Sequence, residues 1–170
     1  MESPPGREAE AARSPERRTW YGYGRLARVE KRGTSRYLHD LTYAFADVSV
    51  FSLPGVLLVF LAAGTAAFGV RTATLVAWLS MTATVAAIRG GWVTPLATTV
   101  PGWVSITPAL VALRIAYYNA ALAVTVAGSL ALAGAVGSPP AAIAFAAVLA
   151  ALATLAFPAL AEAAYRRLAD

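Results

Sequence analysis

The chain contains no cysteine and a single histidine, His39. Without thiols, disulfide scaffolds, thiolate metal sites and thiol redox chemistry are excluded together. With one imidazole, the HExxH metalloprotease pattern is excluded as well, since it needs two histidines on one helix face. No GxSxG elbow is present to activate a serine. Charge is scarce too: Lys, Arg, Asp and Glu make up 14% of the residues, against roughly 25% in soluble domains. Between Phe51 and Leu160 the charged residues are Arg71, Arg89 and Arg114 alone. That stretch holds no carboxylate, which removes the acid pairs of general acid–base catalysis and the aspartate clusters of two-metal phosphotransferases.

Apolar side chains fill the space that charge leaves. They make up 58% of the chain, and the mean hydropathy is +0.60. So few charges cannot coat a body of this size against water, and lipid is the solvent that fits it. The sequence therefore predicts an all-α fold, an integral membrane helical bundle. Four transmembrane helices are expected, with five as the alternative, preceded by an amphipathic interfacial helix.

Residues 1–18 are rich in Pro, Glu, Ala and Arg, with no large apolar side chain after Met1, so a disordered tail is expected there. Residues 19–47 read as a basic aromatic arm leading into the amphipathic helix. The first apolar run begins about fifty residues in, later than the core of a cleavable signal peptide, so none is expected. From about Arg36 to Val50, Leu38, Leu41, Phe45 and Val48 recur at helical spacing, with Ser35 as a candidate N-cap. Arg36, His39, Asp40, Tyr43 and Asp47 fall on the opposite face. Such a helix is expected to lie in the interface plane with its polar face wetted, and to run or bend into the first span. Positions 39 and 47 are about 12 Å apart along a helix axis, too far for one ion, so no metal is expected there.

The bundle is expected over residues 48–165, with residues 166–170 as a cytoplasmic tail. The predicted spans are Val48–Val70, interrupted by Pro54-Gly55; Thr72–Ile88, bracketed by Arg71 and Arg89; Ile115–Val136, opened by Arg114; and Ala141–Ala161, after Gly137-Ser138-Pro139-Pro140. The last is alanine-rich: 13 of the 24 residues from Ala141 to Ala164. Small residues let helices approach closely where lipid supplies no hydrophobic drive. The hydroxyls of the second span, among them Thr74, Thr82 and Thr84, are expected to bond back to their own backbone.

Segment 90–113 is apolar enough to enter a membrane yet carries Pro95, Pro101 and Pro108, so it either spans, re-enters or lies at the interface. Charge favours four spans. With the N-terminus inside, thirteen of the fourteen basic residues are cytoplasmic, against ten with five spans. Both termini are thus expected in the cytoplasm of a cell membrane.

Two groups of residues are candidates for function. Arg17, Arg18, Arg25, Arg28, Lys31, Arg32 and Arg36 face one acid, Glu30, and suit docking to anionic lipid headgroups or a partner. No folded reading module accompanies them, so nucleic acid is not an expected partner. Thr98, Thr99, Ser105 and Thr107, in the Pro/Thr-rich stretch 92–108, are candidates to line a polar vestibule if that stretch dips inward. The expected role is a non-enzymatic accessory, scaffold or assembly component, as a homo-oligomer or within a larger membrane complex. The alternative is a small-solute channel or transporter using segment 92–108. No catalytic residue, cofactor or metal is expected, and proton-coupled transport lacks its usual intramembrane acid apart from Asp47, at the edge of the first span.

Overall fold

In a computed structural model, which describes residues 17–19, 34–62, 68–98, 103–105 and 108–169, four long helices form a bundle. They are α1 (Thr34–Ala62), α2 (Phe68–Gly90), α3 (Pro108–Val136) and α4 (Pro139–Ala169). Two three-residue strands, β1 (Arg17–Thr19) and β2 (Trp103–Ser105), pair antiparallel with Arg18 opposite Val104. Each long helix contains a stretch long and apolar enough to cross a membrane: Tyr37–Leu61, Gly69–Gly90, Pro108–Val136 and Pro139–Ala164. The chain is a four-helix membrane protein.

Local chemistry sets the ends of these helices. Gly91 takes the left-handed conformation, φ 76°, just past α2. Its N–H donates to the carbonyl of Ile88 and that of Trp92 to Ala87, both at 3.0 Å, so two orphan carbonyls are satisfied in a Schellman turn. At the end of α3, Gly137 does the same with one bond, to Ala133. Pro108 and Pro139 open α3 and α4, where a missing N–H and a fixed φ do no harm.

Three helix bounds differ from the sequence expectation. The amphipathic stretch runs into the first span as one helix, α1, with Pro54 inside it, as expected, but α2 already begins at Phe68, inside the expected first span Val48–Val70. α3 starts two turns before Ile115, so Arg114 lies within the helix instead of at its mouth. α4 continues to Ala169, past the expected end at Ala161. Residues 1–16, which were expected to be disordered, lie outside the described residues; Arg17 and Arg18, the last of that tail, are in β1.

α2 is central, packing against α1, α3 and α4; α3 closes the bundle against α1 and α4, which stand at opposite corners. The core joins Ala44 and Val48 of α1, Ala77, Met81 and Val85 of α2, Tyr118 and Leu122 of α3, and Ala150 and Phe157 of α4. Buried alanines, such as Ala77, Ala146 and Ala150, let backbones come close enough for dispersion to hold helices together in lipid. Gly128 serves the α3–α4 contact similarly: a Cβ there would stand 2.7 Å from the ring of Phe145. Leu53, Leu57, Leu58, Leu61, Leu79 and Val148 face outward, a pattern that water would punish and acyl chains accept.

The connection after α2 folds back on the bundle. Trp92 stacks on Tyr37 of α1, ring centroids 4.9 Å apart, and Pro95 is buried. The N–H of Leu96 donates to the carbonyl of Leu155 in α4 at 2.9 Å. That carbonyl neighbours the one left without its helical donor by Pro158, where the ladder is already loosened. Ala97 then takes a left-handed φ of 57°, which costs a residue with a Cβ about 1 kcal/mol. Ala97→Gly is accordingly expected to raise stability by up to about 1 kcal/mol. Thermal denaturation in mild detergent checks it, and a lowered midpoint would count against the strain.

Candidate functional site

α1 places its acids on one side. Asp40, Ala44, Val48 and Ser52 are buried at helical spacing, with Asp47 beside Val48, and this stripe faces the bundle. Leu38 and Phe45, of the face expected to pack, are exposed. The carboxylates of the polar face are therefore not wetted as the sequence suggested: Asp40 and Asp47 turn inward beside Val48 and meet cations from other helices, while Tyr43 of the same face stays exposed. The physical reason is the solvent. In lipid, apolar side chains can face out, while charges must find each other inside.

Two ion pairs result. Arg89 Nε, at the end of α2, donates to Asp40 Oδ1 at 3.0 Å, and its guanidinium carbon lies 4.6 Å from the ring centroid of Tyr43. Arg114 Nη1, in α3, donates to Asp47 Oδ1, also at 3.0 Å. The Arg114 side chain is 3% exposed and that of Asp47 17%. Arg114 also sits over Phe51, at 4.9 Å, and Phe157 of α4, at 5.7 Å, so ring faces supply part of the solvation that water cannot.

Helical rise sets their depths. Arg71 and Arg89 mark the ends of α2, about 27 Å apart, close to the thickness of a hydrocarbon core. Asp47 lies two turns along α1 from Asp40, so the Arg114 pair stands about 10 Å deeper than the Arg89 pair.

A third polar contact lies deeper still. Asn119 of α3 presents its carboxamide to α1: Oδ1 accepts from Gly55 N–H at 2.6 Å, and Nδ2 donates to Phe51 C=O at 2.8 Å. Those two backbone groups, four residues apart, would form one rung of an unbroken helix. The amide bridges that rung one residue past Pro54, and Nδ2 also reaches Ile115 C=O of its own helix. The opposite amide orientation would set donor against donor at Gly55.

Aromatic groups close the site. Tyr117 donates to Ala153 C=O at 2.8 Å, and both Tyr117 and Tyr118 lean on Phe157, at 5.2 and 5.3 Å. Tyr118 is fully buried, within electrostatic reach of Asp47 and Arg114, yet its hydroxyl has no hydrogen-bond partner among the described residues. Tyr118→Phe removes only that atom. It is expected to leave stability unchanged or raise it by up to about 1 kcal/mol, measured by thermal denaturation in detergent. A loss larger than that would mean the hydroxyl is bonded in the membrane.

Among the described residues, no three His, Cys, Asp or Glu side chains gather where an ion could sit. The hydroxyls of α2 bond back to their own helix, Thr74 to Val70, Thr82 to Trp78 and Thr84 to Ser80, as expected. Of the basic-arm residues, Arg17 and Arg18 lie in β1, Arg36 lies in the first turn of α1, and Arg25, Arg28, Lys31 and Arg32 fall outside the described residues. Of the vestibule candidates, Thr98 is half-buried after the Ala97 turn, Ser105 is in β2 opposite Arg17, and Thr99 and Thr107 fall outside. Sequence reasoning missed the roles of Arg114, Arg89 and Asn119. The available signal was the two-turn spacing of Asp40 and Asp47 along an apolar helix, which asks for two cations elsewhere.

Comparison with known proteins gives one result. Residues 31–164, more than three-quarters of the chain, match a family model described as Domain of unknown function (DUF8215). No curated protein and no solved structure matches.

Proposed function

The chain belongs to the DUF8215 family, and on the geometry of its inward-facing charges we propose that it is a non-enzymatic accessory, scaffold or assembly component of a membrane complex. The observation that carries this reading is the mutual neutralisation of Asp40 with Arg89 and Asp47 with Arg114. A carboxylate that works as a proton carrier or general base must change protonation during its task. One held at 3.0 Å by a buried guanidinium on a neighbouring helix instead fixes helix position.

On this reading both chain ends lie in the cytoplasm. Arg89, Arg166 and Arg167 stand at the same end of the bundle as the first turn of α1, to which the basic arm leads, and the positive-inside rule supports a cytoplasmic side there. The arm, Arg17 to Arg36, binds anionic headgroups, and the lipid-facing surface offers contact to a further copy or a larger membrane partner.

Native mass spectrometry from mild detergent, followed by reconstitution in proteoliposomes, tests the reading. The expected result is a fixed stoichiometry, with itself or with one co-purifying membrane protein, and no solute flux above that of empty vesicles. A monomer that carries solute would overturn it. A second reading, the small-solute channel or transporter, draws support from the Leu96–Leu155 bond, which draws the α2–α3 connection onto the middle of α4. It requires flux that is lost in Thr98→Ala or Thr99→Ala.

A further inference from the structure

α1 holds its two neighbours by different chemistry. Against α2 the contact is mostly apolar, with one ion pair at its Asp40 end: Ala44 and Val48 pack in the cluster with Ala77, Met81 and Val85, Phe45 meets Trp78 edge-on at 5.0 Å, and Arg89 holds Asp40. Against α3 it is held by polar links, the Asp47–Arg114 ion pair and the two bonds of the Asn119 carboxamide. Packing also changes along α1. Asp40, Ala44, Val48 and Ser52 are buried, but from Leu53 to Leu61 no residue is, and Leu61 is 82% exposed. The first half is anchored by buried residues; the second holds more lightly, through half-buried Val56 and through exposed Arg71 of α2, whose Nη2 donates to Phe60 C=O at 3.4 Å.

The border between the halves is where the helix is weakest. Pro54 offers no N–H to the carbonyl of Val50, and its ring crowds that carbonyl. The hydroxyls of Ser49 and Ser52 bond back to Phe45 and Val48, a habit that bends helices. Gly55 follows, with least resistance to a change of backbone angle. At this border the Asn119 amide stands between Gly55 N–H and Phe51 C=O. A side chain inserted in the ladder is a recognised cause of a kink, and here it comes from the neighbouring helix.

We propose that α1 is hinged at Pro54-Gly55, and that Asn119 is the latch holding its outer half, residues 53–61, against α3. When the amide lets go, the outer half swings in the bilayer plane while the inner half stays on α2 through its apolar contacts and on α3 through Arg114. The swing is a switch between two arrangements, because a bidentate amide is either seated on both backbone groups or on neither. Opening parts the α1–α3 seam at the end of the bundle away from the chain termini.

The absence of native cysteine makes the motion measurable with two introduced spin labels. Cysteines replacing Leu61 on α1 and Val124 on α3, both outward-facing, report the seam; a pair replacing Leu38 and Leu79 reports the anchored half. Pulsed electron–electron distance measurements are made on the full chain in lipid nanodiscs. Asn119→Ala is expected to add a longer seam distance as the main component, with the anchored pair unchanged. Gly55→Ala, whose Cβ would stand 2.5 Å from Asn119 Oδ1, opens the latch without altering α3 and is expected to do the same. Pro54→Ala added to either variant restores the missing rung and returns the seam to the short distance. If neither opener adds a longer component, or if the anchored pair moves with the seam, the hinge is wrong.

Discussion

Arg114→Ala is expected to destabilise the bundle by about 3–5 kcal/mol, because it strands the Asp47 carboxylate inside the membrane. The pair lies about 10 Å below the level of Asp40, with Arg114 buried against Phe51 and Phe157. Taking a guanidinium and a carboxylate out of water is expensive, and each is tolerated only because the other is present. Asp47→Ala should be as harmful for the mirror-image reason. Removing both charges should not be: Asp47→Leu with Arg114→Met replaces the pair by apolar groups of similar volume and is expected to lose much less than either single change. Reversible unfolding in mixed micelles of Asp47→Leu, Arg114→Met and the two together, run as a double-mutant cycle, measures the coupling. Additive losses would show that the two residues act independently and that the pair does not hold α1 to α3.

Gly55→Ala is expected to cost about 2 kcal/mol, although alanine is intrinsically the better helix residue by about 1 kcal/mol. The added Cβ would stand 2.5 Å from Asn119 Oδ1 and 3.4 Å from its Cγ, so the amide must leave its seat. Both bonds to α1 go with it, and polar bonds between membrane helices contribute about 0.6 kcal/mol each, up to about 1.7. The loosened contact between α1 and α3 accounts for the rest. Asn119→Ala in the Gly55→Ala background should then cost little more, since the bonds it removes are already broken. The same unfolding assay decides it. A Gly55→Ala protein as stable as the parent would show that the amide repacks freely and seats nothing.

The fold class was legible because it depends on what is missing. Three charges between Phe51 and Leu160 leave no soluble surface to build, and that argument needs no knowledge of contacts. Four spans followed from where the basic residues fall, and four helices of sufficient length are present. The site was less legible. Alternation along Arg36–Val50 marks an amphipathic helix correctly, but periodicity does not say which face is outside. The rule learned from water, apolar in and polar out, assigns Leu38 and Phe45 to the core and Asp40 and Asp47 to solvent. The bundle reverses it for these four, while Leu41 and Val48 of the same apolar face do pack on the core, because the buried stripe runs along the border of the two faces. Nor could spacing supply the partners, which lie 49 and 67 residues away on other helices. Asn119 was mute for another reason: a single amide amid Tyr, Ala and Leu carries no pattern, and its meaning comes only from lying beside Pro54-Gly55.

The 67-residue gap between Asp47 and Arg114 also bears on how the protein is made. At roughly 5–20 residues per second of synthesis, the guanidinium emerges about 3–13 s after the acid it will meet. During that interval the first hydrophobic segment carries an acidic group toward the bilayer ahead of its counter-ion. Until the third segment arrives, entry of the first into lipid would carry an uncompensated carboxylate with it, so the first is expected to enter lipid together with the third and not ahead of it.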